Sequence, residues 1–384
     1  MEEKSRITVM EKVYLNRANI LTPFGNGIET NWDQLVKGNS AVTKIDSFGH
    51  LENFYAGKID EEIFRNLKEQ VIGYKNYTRL EIAGIIALQS IVEKSKLSSR
   101  TGFIVSTTKG NIHQLSSSLK GASIPDFAKK IAGYFGFITE PVIISNACVS
   151  GVLAVNVAKR FIEMEMVDEA YVLALDELTD FVLTGFNSFQ AMDFDLCKPF
   201  DRERKGVNLG EAAACVYVSK KKEKNSFQIL GEASINDANH ISGPSRTGEG
   251  LVLSIEAALK EAEISKKEVD YISAHGTATL YNDEMEVIAF NHLQMEEIPT
   301  NSLKAFYGHT LGASGLLELI ISMKQAEENL LLKSNNFNEL GTSVSQNILK
   351  ENLDEKINII LKTSSGFGGS NAVIVLKKME NDES

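Results

Sequence analysis

The sequence predicts an α/β fold built from two similar halves, and two observations carry this prediction. Short β-branched strands alternate with helical stretches along the 384 residues, which is typical of α/β proteins with mostly parallel central strands. An apolar strand, a short loop and a helix rich in small residues also occur twice. Each copy is followed later by a Gly-containing turn and a strand that ends in a Lys pair. The repetition indicates a duplicated architecture.

The first half is expected to span residues 1–222. Residues 1–9 are expected to form a disordered leader before the first strand, VYLNRANI. Runs rich in β-branched and aromatic residues predict the other strands, and helical spacing of apolar residues predicts the helices. The predicted strands are Thr101–Ser106, Pro141–Ser145, Ala170–Ala174 and Ala213–Val218, and the predicted helices are Thr78–Lys94 and Ser150–Met164.

The second half is expected to span residues 223–384, with its boundary in the polar stretch Lys220–Asn225. The same patterns predict its elements. The strands are Tyr271–Ala274, Ile357–Lys362 and Ala372–Leu376, and the helices are Gly248–Glu263, Asp283–Leu293 and Gly312–Glu328.

Composition excludes several classes of protein. The chain is 43% hydrophobic and 24% charged, as is ordinary for a globular protein, and its longest apolar runs are too short to span a bilayer. The N-terminal segment lacks the apolar core of a signal peptide, so a cytoplasmic location is expected. The net charge of −11 argues against nucleic-acid binding. The three cysteines lack CxxC spacing, which argues against a disulfide framework or a structural zinc site.

Cys148 lies where a predicted strand meets a predicted helix. The N-terminus of a helix carries unpaired N–H groups and a partial positive charge, which favour thiolate over thiol and lower the pKa of a cysteine. Small neighbours, including Gly151, let a substrate approach. A free cysteine is also among the most buried residue types, so the residue alone leaves nucleophile and core filler open. Cys197 and Cys215 lack such a junction and are expected to be core residues.

A second candidate is His275, in the stretch AHGTATLYNDEMEV. It follows a strand on a Gly-containing turn, and ligands bind at the carboxyl ends of parallel strands. Thr277 and Thr279 can hydrogen-bond an elongated ligand. Asp283 and Glu286 have the spacing of a capping box for the next helix. A functional histidine is favoured over a structural one.

A third candidate stretch, NSLKAFYGHTLGASGLLEL, carries Lys304 and His309 in one loop before a helix. The spacing of its glycines does not match a dinucleotide fingerprint, so close helix packing better explains Gly312 and Gly315. Glu318 has apolar neighbours, and if it is buried it needs a partner.

Taken together, a thiol, two histidines and a lysine on strand–helix loops indicate acyl chemistry. A thiolate can hold an acyl group, and two neutral histidines can donate hydrogen bonds to a carbonyl oxygen that gains negative charge. The Gly-rich stretch SSGFGGSN adds one aromatic, Phe367, on a tight turn. No metal site is expected, because two distant histidines without further ligands match no known pattern.

Six blocks occur along the chain in the order NACVSG, GFNSFQAM, KPFDRERKGVNLGEAAA, AHGTATLYNDEME, NSLKAFYGHTLGASGLLE and GFGGSN. In these blocks the sequence resembles the β-ketoacyl–acyl-carrier-protein synthases, the elongating condensing enzymes of the thiolase superfamily. The resemblance extends over nearly the whole chain. It implies the thiolase-like duplicated five-layer αβαβα fold.

The resemblance also implies a role for each matching residue. Cys148 would accept the acyl group, and His275 and His309 would bind the malonyl thioester carbonyl and stabilise the enolate. Lys304, Glu318 and Asp283 would be supporting groups of the site, and Thr277 and Thr279 would contact the phosphopantetheine arm. Phe186 would line the acyl pocket. Phe367, with Gly368, would form the gate, and its N–H would join that of Cys148 as an oxyanion hole.

The implied reaction is a decarboxylative Claisen condensation. An acyl group on Cys148 would join malonyl–acyl-carrier protein to give 3-oxoacyl-carrier protein and CO2, in fatty-acid or polyketide- and polyene-type chain elongation. No cofactor is expected beyond the phosphopantetheine that arrives on the carrier. The implied assembly is a homodimer, or a heterodimer with a related ketosynthase-like chain. The alternative function is a subunit of a ketosynthase/chain-length-factor heterodimer, although such factors lose the cysteine that this chain keeps. A thiolase is disfavoured, because no cysteine follows Cys215.

Five positions depart from the family pattern: Lys109, Gln190, Lys198, Ala212 and Leu280. None of them removes a catalytic group, so they bear on the substrate and suggest a specialised polyketide- or polyene-like chain. The acidic carrier of the family also predicts a basic rim on this acidic chain. Its candidate residues are Lys75, Arg79, Lys129, Lys130, Arg202, Arg204 and Lys205.

Overall fold

A computed structural model of the chain describes residues 11–237 and 243–380. The expected leader, residues 1–9, lies outside the described residues. The strands are β1 Val13–Thr22, β2 Gly25–Asn26, β3 Thr43–Phe48, β4 Leu51–Gly57, β5 Thr101–Ser106, β6 Val142–Ile144, β7 Glu169–Asp176, β8 Leu209–Gly210, β9 Ala212–Ser219, β10 Phe227–Asn236, β11 Tyr271–Ser273, β12 Thr300–Asn301, β13 Leu330–Leu331, β14 Leu353–Asp354, β15 Ile359–Gly366 and β16 Ser370–Lys378.

The helices alternate with these strands. They are α1 Ile28–Val36, α2 Glu61–Lys68, α3 Arg79–Gln89, α4 Ile124–Phe135, α5 Ser150–Glu163, α6 Asp180–Ser188, α7 Glu249–Glu261, α8 Leu280–His292, α9 Lys304–Tyr307 and α10 Ser314–Glu328. Within the described ranges, no helix has the length and apolarity that crossing a bilayer requires.

The same strand order occurs twice in the large sheet. In the first half the neighbouring strands are β1-β9-β7-β5-β6, and in the second they are β10-β16-β15-β11-β12. If the five strands of each half are numbered along the chain, both halves have the same spatial order: first, fifth, fourth, second and third. The two sets meet where β1 pairs with β10. This repetition confirms the duplication that the sequence predicts. The division of the chain at residue 222 stays a prediction.

The expectation of mostly parallel central strands is wrong. Parallel pairs lie toward the two ends of the sheet, where β5 pairs with β6 and β7, and β11 pairs with β12 and β15. The central pairs are antiparallel, from β7 with β9 through β15 with β16. The physical reason is visible at Gly366–Ser370, where β15 turns directly into β16, since a tight hairpin can only join antiparallel strands.

Five layers result from this topology. Helices α3 and α4 cover one face of the first set of strands, α5 and α10 lie between the two sets, and α7 and α8 cover the outer face of the second. The central layer is almost wholly buried, because both faces of α10 contact strands. The N-termini of α5 and α10 therefore meet inside the molecule, and the loops that precede them carry Cys148 and His309.

Glycines allow these two helix starts to approach closely. A Cβ built on Gly151 would lie 2.7 Å from the backbone nitrogen of Leu316, and one on Gly315 would lie 2.8 Å from Cγ2 of Val152. One on Gly312 would lie 2.8 Å from a carboxylate oxygen of Asp176. The prediction of close helix packing is confirmed for Gly315, whereas Gly312 packs closely against Asp176 and the turn after β5.

Candidate active site

A cavity of about 470 Å³ opens above the start of α5. Its lining combines the thiol of Cys148 with the rings of both candidate histidines, the two threonines of the His275 loop and several aromatic side chains. The cavity thus collects residues from loops that are far apart in the sequence, and each part of its wall has a distinct chemical character.

Cys148 lies at the end of a strained turn between β6 and α5. Ala147 has a φ of 44°, in the left-handed region that non-glycine residues rarely adopt, and Ser150 ties the turn together by accepting from the Asn146 N–H and donating to the Ala147 carbonyl. The backbone N–H of Phe367 faces the Cys148 sulfur and favours its charged form. Strain of this kind persists where the surrounding structure enforces it, as is common at functional sites.

The expected fall in the pKa of Cys148 is not found. Burial raises the pKa of the thiol to about 11, although Lys304 and the Phe367 N–H act in the opposite direction. Only 7% of the residue is exposed, so a thiolate would lose most of its hydration. Cys148 is therefore a neutral thiol at rest.

The two histidines contact the same space as the thiol. Cys148 Sγ and one ring nitrogen of each histidine lie within 4.8 Å of one another. His275 Nδ1 lies 3.2 Å from Lys304 Nζ, and His309 Nδ1 accepts from the Leu311 N–H at 3.3 Å. Because both Nδ1 atoms face proton donors, each ring carries its hydrogen on Nε2.

Both rings are also held neutral. Burial, with the nearby charge of Lys304, lowers the pKa of His275 well below its ordinary value and that of His309 to about 3. Among the described residues, the buried His309 Nε2 finds no hydrogen-bond partner. A buried N–H donor without an acceptor is costly, which indicates that a ligand oxygen completes it.

Two buried lysines share one carboxylate behind the histidines. Lys304 Nζ donates to Glu318 Oε1 and Lys362 Nζ to Glu318 Oε2, both at 2.6 Å. Burial opposes ionisation of Glu318, but the two lysines hold its pKa at about 2. The requirement that a buried Glu318 have a partner is thus met twice. Sequence reasoning missed Lys362, because it looks like the polar end of an apolar strand.

The His275 loop is suspended from two buried carboxylates of α8. Glu286 accepts from the N–H groups of His275 and Gly276, at 2.7 and 2.6 Å. Asp283 accepts from the N–H groups of Thr277, Ala278 and Phe200. The expected capping box is therefore wrong: α8 begins at Leu280, and these carboxylates position the loop instead.

Thr277 and Thr279 line the cavity beyond the histidines. Their hydroxyl oxygens lie 2.8 Å apart, on one wall, so both can contact an extended ligand.

Three aromatic side chains, Phe186, Phe189 and Phe367, also line the cavity. The rings of Phe186 and Phe189 lie 5.5 and 5.6 Å from that of Phe367, and Phe186 also packs edge-on against His309. Gly368 is not among the residues that line the cavity. Its φ of 82° shows that it serves the turn that carries Phe367.

Comparison with known proteins identifies the family. The model of the beta-ketoacyl synthase N-terminal domain matches residues 83–224, and that of the beta-ketoacyl synthase C-terminal domain matches residues 227–338. The chain belongs to the β-ketoacyl synthase family. Such enzymes are condensing acyltransferases.

Named relatives span the synthase almost end to end. A Schizosaccharomyces pombe protein that carries the name of a mitochondrial 3-oxoacyl-[acyl-carrier-protein] synthase is 28% identical, over 96% of this chain and 99% of its own. The chloroplastic 3-oxoacyl-[acyl-carrier-protein] synthase I of Hordeum vulgare is 27% identical, over 95% of this chain and 88% of its own.

Solved structures share the thiolase-type fold of the synthase. A chain from the complex of the ketosynthase ApeO with its chain length factor ApeC, from Xenorhabdus doucetiae, superposes with a TM-score of 0.86 at 24% identity, covering 99% of this chain and all of that one. A chain of the ishigamide ketosynthase/chain length factor superposes with a TM-score of 0.84 at 22% identity, covering 97% of this chain and all of that one.

The expected basic rim of the synthase is only partly present. Arg204 is buried, and Arg79 is mostly buried and bound to Glu211, so neither belongs to an exposed rim. Lys129, Lys130 and Arg202 are exposed but pair with acidic side chains. Lys75 is exposed, and of the seven candidates Lys205, whose ammonium lies 3.8 Å from Asp195, alone lines the cavity in the described chain.

The unusual Lys109 of the synthase is buried rather than exposed. Its ammonium lies 2.9 Å from Asp176 Oδ1, and the same carboxylate accepts from the N–H and hydroxyl of Thr108 and the N–H of Gly312. This ion pair links the turn after β5 to the loop after His309.

The grouping of Cys148, His275 and His309 also has the ligand types of a metal site. A metal needs the lone pair of a ring nitrogen, but both Nδ1 atoms face donors and both Nε2 atoms carry hydrogen. The arrangement therefore favours hydrogen-bond donation over metal binding.

Proposed function

We propose that this synthase joins an acyl group on Cys148 to a malonyl thioester by decarboxylative Claisen condensation. One observation carries the proposal: two neutral histidines present Nε2–H donors to the space around a thiol, at the bottom of a cavity. A pair of donors that remains uncharged can stabilise an enolate oxygen without protonating its carbon.

In the first half-reaction, the Cys148 sulfur attacks the carbonyl carbon of an acyl-carrier thioester. The S–H proton passes to the pantetheine sulfur that leaves, so the neutral thiol needs no separate thiolate state. The Phe367 N–H, which already contacts the Cys148 sulfur, is placed to donate to the oxyanion beside the N–H of Cys148. The products are a Cys148 thioester and the free carrier thiol.

In the second half-reaction, malonyl-carrier enters with its pantetheine arm along Thr277 and Thr279. Its terminal carboxylate leaves as CO2, and the electron pair of the broken bond forms an enolate whose oxygen accepts from His275 and His309. The enolate carbon then attacks the Cys148 thioester. The Cys148 sulfur leaves and takes up one proton, giving the 3-oxoacyl-carrier product.

Mass spectrometry tests this proposal directly. Incubation with acyl-carrier should add one acyl mass to the peptide that contains Cys148, and malonyl-carrier should then release that mass with formation of CO2. Cys148→Ala should abolish the adduct, whereas Cys215→Ala, which changes a buried cysteine outside the cavity, should keep it. An adduct that persists in Cys148→Ala would refute the assignment.

The phosphopantetheine of the carrier is proposed to supply the thioester on which both half-reactions depend. No resident cofactor or metal takes part in either proposed half-reaction. Full activity after dialysis against a metal chelator is the expected result, and loss of activity that added Zn²⁺ restores would contradict it.

An acyl-carrier protein and a second ketosynthase-like chain are the proposed partners. Strand β6 ends the large sheet and pairs only with β5 in the described chain, and its three residues, Val142 to Ile144, are apolar and half-buried. Such an edge is usually covered. Sedimentation should give twice the monomer mass for the chain alone if the assembly is a homodimer.

The main alternative is a ketosynthase/chain-length-factor heterodimer, and several solved neighbours are described as such complexes. A monomeric chain that becomes active only on coexpression with a related chain would favour it.

The substrate class is proposed to be a specialised polyketide- or polyene-like chain. Support comes from two departures from the family pattern: Gln190, which lines the cavity, and Lys109, whose partner Asp176 also binds the N–H of Gly312 in the loop after His309. A panel of acyl-carriers tests this idea, and equal rates with ordinary saturated medium and long chains would refute it.

A further inference from the structure

Lys362 is a buried lysine that has no role in the proposed mechanism. Its side chain is fully buried, and its ammonium has three acceptors: Glu318 Oε2 at 2.6 Å and the carbonyls of Ser273 and Ala274, each at 3.2 Å. An ammonium has three protons, so this set of acceptors suits the charged form.

Lys304 repeats this arrangement on the other oxygen of Glu318. Its acceptors are Glu318 Oε1 and, on His275, the carbonyl at 2.6 Å and Nδ1 at 3.2 Å. The two lysines therefore bind three successive carbonyls, from Ser273 to His275. Those carbonyls belong to the end of β11 and to the two residues after it, so the lysines fix the backbone that carries the His275 ring.

Two lysines face two carboxylates close to the histidine rings, and Asp283 lies farther along the same loop, where it accepts from the N–H groups of Thr277 and Ala278. Glu318 lies behind the rings, and Glu286 holds the N–H groups of His275 and Gly276. Lys362 interacts with both carboxylates, and its charge acts on both histidines. Without Lys362, the site would gain one unit of net negative charge where the enolate must form.

We propose that Lys362 is a positioning residue for enolate formation, because it balances the buried carboxylates and fixes the end of β11 before His275. The proposal deepens the proposed function and depends on it. It concerns the second half-reaction alone, since the carbonyls that the two lysines bind lie outside the turn that carries Cys148.

The test separates the two half-reactions. Lys362→Met should lower the rate constant for CO2 release from malonyl-carrier by about tenfold or more, with KM changed little, because a charge is lost behind the donors rather than at the binding surface. The rate at which Cys148 takes up an acyl group should stay within about twofold of wild type. Equal losses in both half-reactions would overturn the proposal.

A second substitution distinguishes charge from packing. In Lys362→Met combined with Glu318→Gln, one positive and one negative charge are removed, and the amide carbonyl introduced at position 318 can still accept from Lys304. The double variant should recover at least part of the lost CO2 release. If it is as slow as Lys362→Met or slower, the charge-balance role is refuted.

Lys159→Met provides the matched control for losing a buried lysine. Lys159 is buried and bound to Glu163 and Glu261, and it does not line the cavity. Its variant should lose stability without losing CO2 release. If Lys362→Met does not fold, Lys362→Gln replaces it in the test, because glutamine keeps a hydrogen-bond donor without the charge. The rates of CO2 release and of Cys148 acylation are then compared in the same way.

The proposed function and this inference fail in different ways. A wild-type protein that releases no CO2 from malonyl-carrier refutes the proposed function and the inference with it. A wild-type protein that releases CO2, together with a Lys362→Met variant that does so at the same rate, refutes only the inference.

Discussion

At the scale of single residues, Cys148 combines a reactive position with a high pKa. The start of α5 favours a thiolate, but burial opposes it more strongly, and the result is a pKa of about 11. Sequence reasoning could identify the strand–helix junction but not the burial, because burial depends on Gly366 and Phe367 from the other end of the chain.

The high pKa predicts how Cys148 reacts with an alkylating agent. The thiolate fraction should rise about tenfold with each pH unit up to the pKa, so the iodoacetamide rate should climb steadily from pH 7 to pH 10. Peptide mass spectrometry at several times measures this rate, and Cys148→Ser identifies the labelled site. A plateau that begins below pH 9 would contradict a pKa near 11.

The low pKa values of the two histidines predict a different profile for CO2 release. Because the pKa of His309 is about 3 and that of His275 lies well below its ordinary value of 6.5, both rings are neutral near pH 7 and stay mostly neutral at pH 6.5. With malonyl-pantetheine as substrate, the rate should vary by no more than about twofold from pH 6 to pH 8. A fall toward low pH with a midpoint near 6.5 would show that a histidine is protonated.

Asp283 supplies the control for that profile. Burial raises its pKa to about 7, and it holds the loop after His275, so its titration could also alter the rate. If the rate of CO2 release changes with a midpoint near pH 7 and this change disappears in Asp283→Asn, the titrating group is Asp283. If the change remains in Asp283→Asn, the titrating group is a histidine.

At the scale of elements, strands and helices were predictable where one pattern runs without interruption. Strand β5 has the predicted bounds, and α5 ends within one residue of its prediction. Strand β10 was missed, because Gln, Gly, Glu and Ser interrupt the apolar residues of FQILGEASIN, which therefore lacks the continuous apolar run of the buried strands. The antiparallel centre of the sheet could not be predicted either, since strand direction depends on pairings between distant segments.

The crossing of α5 and α10 predicts the effect of one methyl group. Gly151→Ala should lower the free energy of unfolding by about 1–3 kcal/mol, because the new Cβ meets the backbone of α10. It should also slow acylation, since α5 begins two residues after Cys148. Urea unfolding and the adduct assay measure the two effects.

Gly133→Ala is the matched control on α4. A Cβ at Gly133 meets no described atom within 4 Å, so alanine should add up to about 1 kcal/mol of stability through its helix propensity. If both variants behave alike, the close approach of α5 and α10 does not limit the site.

At the scale of the whole molecule, the net charge of −11 opposes an acidic partner. Arg204 is buried, Arg79 is mostly buried, and three other candidates are paired, which leaves Lys75 and Lys205. Of these two, Lys205 lines the cavity, 3.8 Å from Asp195, so we expect it to contribute most of the local attraction near the cavity. The composition indicated the need for such a residue, but only the fold shows which one faces the cavity.

Reversal of this charge is expected to affect the carrier alone. Lys205→Glu should raise KM for malonyl-carrier about two- to fivefold, as for an exposed ion pair, and leave KM for malonyl-pantetheine unchanged. Lys267→Glu makes the same charge change at an exposed site outside the cavity lining and should leave both constants unchanged. Equal effects of the two variants would mean that overall charge, rather than Lys205, governs docking.

The repeated strand order has a consequence for how the chemistry is shared. Cys148 precedes α5 and His309 precedes α10, which are corresponding helices of the two copies. In the proposed reaction, one copy supplies the covalent attachment point and the other supplies the two carbonyl donors. Each copy can therefore lack the groups that the other copy provides, and an isolated copy would carry only part of the proposed active site. The proposed reaction would therefore take place at the boundary between the two copies.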